Sequence, residues 1–288
     1  MTTSSHQQNH CTACKDGVAA PFAFSMAFQP IVDVATGCVY AYEALVRGIA
    51  NEPASVILSQ VTRENRYAFD QSCRVRALTL ATQLDLKKTG AKLSINFMPG
   101  AVYSPAACIQ LTLKTALRLS FPLDRLIFEI TEAEQVKDRQ HLVRIVQEYR
   151  RHGFKMALDD FGAGYSGLNL LADFIPDILK LDMDLTRNIH QRPAALTVVR
   201  AIVQLATSLN TVVIAEGIES VDEYNVLRGC GIRLMQGYLF ARPGFESLPH
   251  FTIPDTHSPV VTPAQLAQGS LCDPAVLVGI AEDQGRPV

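Results

Sequence analysis

Lys155-Met156-Ala157-Leu158-Asp159-Asp160-Phe161-Gly162-Ala163-Gly164-Tyr165-Ser166-Gly167 is the segment from which the fold can be read. A short apolar run ends in two adjacent carboxylates, and a glycine-rich stretch follows at once. Short continuous apolar runs are how parallel strands buried on both faces read. An acidic pair directly after such a run predicts a strand whose C-terminal end opens onto chemistry.

The same ending recurs on both sides of that segment. The run Val39 to Tyr42 is followed by Glu43, Leu93 to Ile95 by Asn96, and Leu126 to Phe128 by Glu129. Further on, Ile178-Leu179 leads to Lys180, Val212 to Ala215 leads to Glu216, and Leu234-Met235 leads to Gln236. These runs predict strands over Ala27–Val34, Val39–Val46, Lys92–Phe97, Leu126–Ile130, Lys155–Leu158, Ile178–Leu181, Val212–Ala215 and Leu234–Gln236. Between them, apolar residues at helical spacing predict helices over Glu64–Lys87, Pro105–Leu119, Asp138–His152, Ala194–Asn210 and Val221–Arg228. Alternating strands and helices imply a parallel sheet, and about eight strands in roughly 230 residues favour a closed α/β barrel of the TIM (β/α)8 type. The first two strands meet around Thr36-Gly37. So short a link makes a hairpin, so the expected fold is a modified barrel with one antiparallel strand near its start.

The 288-residue chain therefore divides into a polar tail over 1–21, one domain over 22–253, and a second tail or docking segment over 254–288 with an amphipathic patch at Leu266 and Val276 to Ile280. Hydrophobic residues make up 48% and the formal net charge is -2, which argues against a nucleic-acid-polymer coat or a membrane-surface binder. No window approaches the roughly 18 consecutive apolar residues of a spanning helix. The run from Val18 to Phe28 is interrupted by Pro21 and preceded by Asp16, so it reads as the approach to the first strand rather than a signal core. The seven cysteines are odd in number, and Cys38, Cys73, Cys108 and Cys230 stand singly in apolar contexts, as buried free thiols of a cytoplasmic protein do. His6, His10, Cys11 and Cys14 invite a zinc reading, but no second ligand pair follows, and an exposed tail accounts for them. His141, His152, His190 and His250 read as surface residues.

One acid after a strand is commonplace, since it can cap the next helix or pair with an arginine. Many strands ending so are not explained that way. Gathering Glu43, Glu129, Asp159, Asp160 and Glu216 at one barrel mouth sets carboxylates against one another unless cations sit among them. Oxygen donors, including the Asn96 carbonyl, select hard cations such as Mg2+ or Mn2+, and neighbouring Asp159 and Asp160 suit a bridged pair of ions. Two such ions can ionise water and stabilise in-line attack on phosphorus. Lys180 adds a point charge that can orient water or meet a phosphate oxygen. The glycines after Asp160 lack the Gly-Lys-Ser/Thr of an NTPase loop and read as a mobile loop shaping the site.

The ordered motifs carry a resemblance. Phe28-Gln29-Pro30-Ile31, Glu43-Ala44-Leu45 with Val46-Arg47, Asn96, Phe128-Glu129-Ile130-Thr131-Glu132, Asp159 to Ser166, Leu179-Lys180-Leu181-Asp182, Ala215 to Glu219, and Gln236-Gly237-Tyr238 resemble the EAL domain, a bacterial cyclic di-GMP phosphodiesterase family. The likeness covers about residues 22–250. It implies a metal-dependent enzyme that opens cyclic di-GMP to linear pGpG, with Glu43, Asn96, Glu129 and Asp159 on one ion and Asp159, Asp160 and Glu216 on a second. It further implies that Lys180 and Gln236 position the attacking water, with Lys180 or Glu216 taking its proton. Gln29, Leu45, Arg47, Asp182 and Pro243 match substrate-contact positions, and Glu132 and Glu219 match supports of the loop and the ligands. The loop after Asp160 resembles a segment coupling dimerisation to metal binding, so a homodimer is implied, and regulation falls to the tails, to dimerisation or to another protein. A non-catalytic cyclic di-GMP receptor or interaction module on the same barrel is the alternative.

Overall fold

The computed structural model describes residues 19–131, 138–164 and 167–254. The strands are β1 (Ser25–Asp33), β2 (Cys38–Arg47), β3 (Lys92–Asn96), β4 (Leu126–Thr131), β5 (Lys155–Phe161), β6 (Ile178–Leu181), β7 (Val212–Ala215), β8 (Leu234–Met235) and β9 (Gly244–Phe245). From β2 to β8 each strand lies parallel to the next, and β1 closes the barrel by pairing antiparallel with both β2 and β8. The hairpin expectation is therefore met. Gly37 takes φ 73° in the β1–β2 turn, and its N–H donates to the Asp33 carbonyl at 2.9 Å. Asp33 also pairs with Arg233 just before β8, which ties the end of β1 to the start of β8. The short β9 pairs with β1 at Ala27 and Phe28 and had no counterpart in the sequence reading.

The α-helices among the described residues are α1 (Ala54–Leu58), α2 (Arg66–Gln83), α3 (Pro105–Cys108), α4 (Gln110–Arg118), α5 (Arg139–Arg151), α6 (Gly167–Asp173), α7 (Met183–Thr186), α8 (Pro193–Ser208) and α9 (Val221–Gly229). Asp138 caps α5 by accepting from the His141 N–H at 2.9 Å, and Leu142, Ile145, Val146 and Tyr149 form its buried face. Ser220 and Glu223 make a reciprocal capping box at α9. Two expectations need correction. The helix expected over Pro105–Leu119 is two helices that break at Ile109. On α8, Val198 and Leu205 face outward although they fit the apolar pattern, because Ala195, Val199, Ile202 and Ala206 make the buried face.

The barrel interior shows why strand endings and chemistry coincide. Ile31, Ala41, Ile127, Ala157, Ile178, Ile214 and Leu234 form one apolar layer inside the barrel. Side chains alternate faces along a strand, so the residue two positions on also points inward. On the parallel strands that residue is Glu43, Glu129, Asp159, Lys180, Glu216 or Gln236, and on the reversed β1 it is Gln29, two positions back from Ile31. An apolar plug thus floors a polar layer at the C-terminal mouth.

The thiols Cys73, Cys108 and Cys230 are free. Cys73 and Cys108 are buried as expected, whereas Cys230 and Cys38 are only part-buried. Among the described residues no helix is long and apolar enough to cross a membrane. The His6, His10, Cys11 and Cys14 group, Glu132, and the patch at Leu266 and Val276 to Ile280 lie outside the described residues.

Candidate metal centre

Lys180 stands at the middle of the polar layer with its side chain 1% exposed. Its Nζ lies 2.9 Å from Glu129 Oε2, 3.0 Å from Asp159 Oδ1, 2.7 Å from Glu216 Oε1 and 3.4 Å from Glu43 Oε2. One ammonium cannot balance four carboxylates, and the excess negative charge is the main electrostatic fact of the site.

Two groups of carboxylates are close enough to share a cation each. Glu43, Glu129 and Asp159 can bring one oxygen apiece within 4.8 Å of one another, and so can Asp159, Asp160 and Glu216. Asp159 belongs to both. Asn96 stands beside the first group and donates from Nδ2 to Glu43 Oε1 at 2.8 Å, which leaves its carbonyl oxygen for another partner. Gln236 donates from Nε2 to Glu43 Oε2 at 3.0 Å and to Gln29 Oε1 at 3.3 Å. Its own Oε1 is buried without a hydrogen-bond partner among the described residues. The all-oxygen donor set, its surplus charge and that unpartnered amide oxygen fit divalent hard cations with coordinated water.

A bulge in β5 brings the two aspartates to the same mouth. Pairing with β6 slips between Leu158 and Phe161, and Asp160 takes the left-handed φ of 52°. In an unbroken strand Asp159 and Asp160 would face opposite ways. The extra residue lets both acids face the site while Leu158 and Phe161 stay in the outer core. The Asp160 N–H donates back to Asp159 Oδ1 at 2.9 Å, which braces the turn.

Protonation follows from burial. Burial pushes the carboxyls of Glu129, Glu216 and Asp159 up, and neighbouring carboxylates add to the effect while Lys180 opposes it. Asp160 rises to about 6, through burial first and then the charge of Asp159. Burial would raise Glu43 as well, but Lys180 and the amides of Gln236 and Asn96 outweigh it and hold this carboxyl below its usual range. Lys180 is held charged far above the ordinary lysine range, because the acids around it overcome its own burial.

The remaining sequence-predicted residues are placed variously. Gln29 is buried beside Gln236 and donates to the Ala241 carbonyl at 3.1 Å. Leu45 and Arg47 end β2 at the mouth and are part-buried. The guanidinium of Arg47 folds onto the Val46 carbonyl at 2.7 Å and makes no ion pair among the described residues. Pro243 is part-buried just before β9. Asp182 is buried and caps α7, accepting from the Asp184 N–H at 2.8 Å. Glu219 does not join the cluster. It faces outward in a two-pronged pair with Arg187, at 2.6 and 2.9 Å. Sequence reasoning missed Ser94, which is fully buried and donates from its hydroxyl to Glu129 Oε1. The signal was available, since Ser94 lies two positions before Asn96 on the inward face of β3.

Comparison with known proteins identifies the family. The family model described as "EAL domain" matches residues 20–243. A curated "Cyclic di-GMP phosphodiesterase PA2567" from Pseudomonas aeruginosa is 29% identical over 81% of this chain and 40% of that protein. The match covers between 21% and 56% of the length of such curated relatives. A standalone versatile EAL protein from Vibrio cholerae O395, solved in its c-di-GMP bound form, is 51% identical with TM-score 0.78, over 81% of this chain and 97% of that one. Klebsiella pneumoniae BlrP1, solved as a manganese/cy-diGMP complex, is 34% identical with TM-score 0.74, over 80% of this chain and 58% of that one.

Proposed function

This chain belongs to the EAL domain family, and from that premise we propose that it is a metal-dependent phosphodiesterase that hydrolyses cyclic di-GMP to linear pGpG. The observation that carries the reading is the pair of carboxylate groups sharing Asp159, with Lys180 in contact with members of both. A receptor needs to bind a phosphodiester, and a basic pocket serves that purpose without a buried nest of acids.

In this reading Glu43, Asn96, Glu129 and Asp159 hold one ion, and Asp159, Asp160 and Glu216 hold the second, each ion being Mg2+ or Mn2+. Bound there, the pair supplies positive charge to the phosphate and makes a water acidic enough to attack at neutral pH. Lys180 and Gln236 orient that water, the latter through its unpartnered Oε1. Glu216, in the same polar layer, would take its proton, since Lys180 is already charged and can only donate to the water. Arg47, without a carboxylate partner among the described residues, meets a phosphate oxygen, and Gln29, Leu45, Asp182 and Pro243 shape the rest of the substrate contact. Glu219 and Glu132 support the flanking loops. The active form is a homodimer, the domain spans 22–253, and the flanking segments take the regulatory partner.

The purified 288-residue chain with Mn2+ and cyclic di-GMP should yield pGpG, and Glu43→Ala should abolish the product. Saturable binding of cyclic di-GMP with no turnover at saturating metal would sink the enzyme reading and favour the receptor.

A further inference from the structure

Behind the polar layer, on the outer face of β3 and β4, lies a buried ion pair that the chemistry above does not use. Arg74 of α2 is fully buried. Its Nη2 stands 2.8 Å from Asp70 Oδ2, one helical turn earlier, and its Nη1 donates to the Tyr149 hydroxyl at 2.6 Å. The guanidinium carbon lies 5.2 Å from the Phe97 ring centroid, 5.2 Å from that of Phe128 and 5.5 Å from that of Tyr149. The other Asp70 oxygen accepts the Met98 N–H at 2.9 Å.

These contacts grip the backbone where it matters for the mouth. Phe97 and Met98 directly follow Asn96, and Phe128 directly precedes Glu129. Alternation turns Phe128 outward to the arginine and Glu129 inward to the acids. The Phe97 N–H donates to the Glu129 carbonyl at 3.1 Å, which links the two gripped strands. Stability alone does not call for this arrangement, because well-packed apolar residues commonly replace a buried ion pair at no loss. Placement does call for it, since groups behind metal ligands set where the ligands stand.

We propose that Asp70 and Arg74 are positioning residues for the ion site made by Glu43, Asn96, Glu129 and Asp159. The proposal rests on the two-ion reading above. It assigns the pair to one site only, because the gripped segments carry no member of the Asp160 and Glu216 group.

The test is Mn2+ titrated calorimetrically into the metal-free 288-residue chain, compared with the double substitution Asp70→Leu with Arg74→Met, and with Tyr149→Phe, which removes a single hydrogen bond to Arg74. Melting in EDTA reports the fold independently of metal. The expected result is a folded double variant that binds one Mn2+ as the wild type does and the other at least about tenfold more weakly, with Tyr149→Phe shifted the same way by less. Wild-type affinity at both sites in the double variant, or equal weakening of both, overturns the proposal. If the double variant does not fold, unchanged Mn2+ binding by Tyr149→Phe overturns it. A wild-type chain that takes up no Mn2+ overturns the two-ion reading and this proposal with it.

Discussion

An ammonium 1% exposed and touching four carboxylates performs two jobs that substitution can separate. It neutralises charge in the metal-free protein, and in the proposed reaction it orients water. Lys180→Met keeps the stem and removes the charge. Turnover of cyclic di-GMP should fall by at least about 10²-fold, the range for a lost proton-handling group. Mn2+ affinity should hold or tighten, since a cation no longer competes among the acids. Steady-state rates and Mn2+ titration of the same variant check this, and retained turnover would remove Lys180 from the water-handling role. Arg47 gives a contrasting case, because among the described residues its guanidinium bonds a neighbouring carbonyl and no carboxylate. Arg47→Ala should raise KM about tenfold or more with a smaller change in kcat, as expected for a lost charge-assisted phosphate bond. At this scale the polar layer was legible because each member follows an apolar strand run. Arg74 and Asp70 were not, since charged residues on a helix ordinarily mark its solvated face, and only the packed aromatic rings reveal otherwise.

Elements place these side chains through close approaches that leave no room for a methyl group. Gly237 follows Gln236, and a Cβ there would stand 2.0 Å from the Ile218 carbonyl oxygen and 2.3 Å from its nitrogen. Those Ile218 groups bind the end of β8: its N–H donates to the Gln236 carbonyl at 3.1 Å, and its carbonyl accepts from Leu239 at 3.0 Å. Ile218 in turn lies two residues past Glu216. Gly237→Ala must therefore push the β7–α9 loop away from β8 and shift Glu216 and Gln236 together. Melting temperature should drop in line with an overpacking cost of about 1–3 kcal/mol, and turnover should fall with it. A variant with wild-type melting and rate would show that the loop has slack. The strand runs themselves were legible from hydrophobicity. The break at Ile109 and the strand Gly244–Phe245 were not, because each is decided by packing between distant segments. The β5 bulge was hinted at by adjacent acids, yet only the slipped pairing with β6 shows how both face one way.

For the molecule as a whole, a barrel mouth overfilled with acid couples stability to pH and metal in opposite senses. Closure of the barrel was legible from about eight strand runs alternating with helices, and its reversed strand from the hairpin at Thr36-Gly37, whereas the electrostatic consequence needed the distances. In the metal-free chain Asp160 titrates at about 6, raised by burial and then by Asp159, and Glu129, Glu216 and Asp159 are raised for the same physical reasons. A carboxyl whose folded value is raised contributes stability that is present at low pH and lost as pH climbs through the folded value. Glu43, held low, runs the other way, but its loss on acidification falls below its ordinary value of 4.5 and so outside the window. Lys180 stays charged throughout. The EDTA-treated protein should thus lose melting temperature as pH rises from about 4.5 to about 6. Mn2+ binds the deprotonated acids, so its stabilisation must grow over the same interval. Paired melting curves in EDTA and in excess Mn2+ should diverge as pH rises through about 6, the value at which Asp160 gives up its proton. A constant gap would mean that the acids are already charged at pH 5, and that Lys180 alone suffices to hold them together.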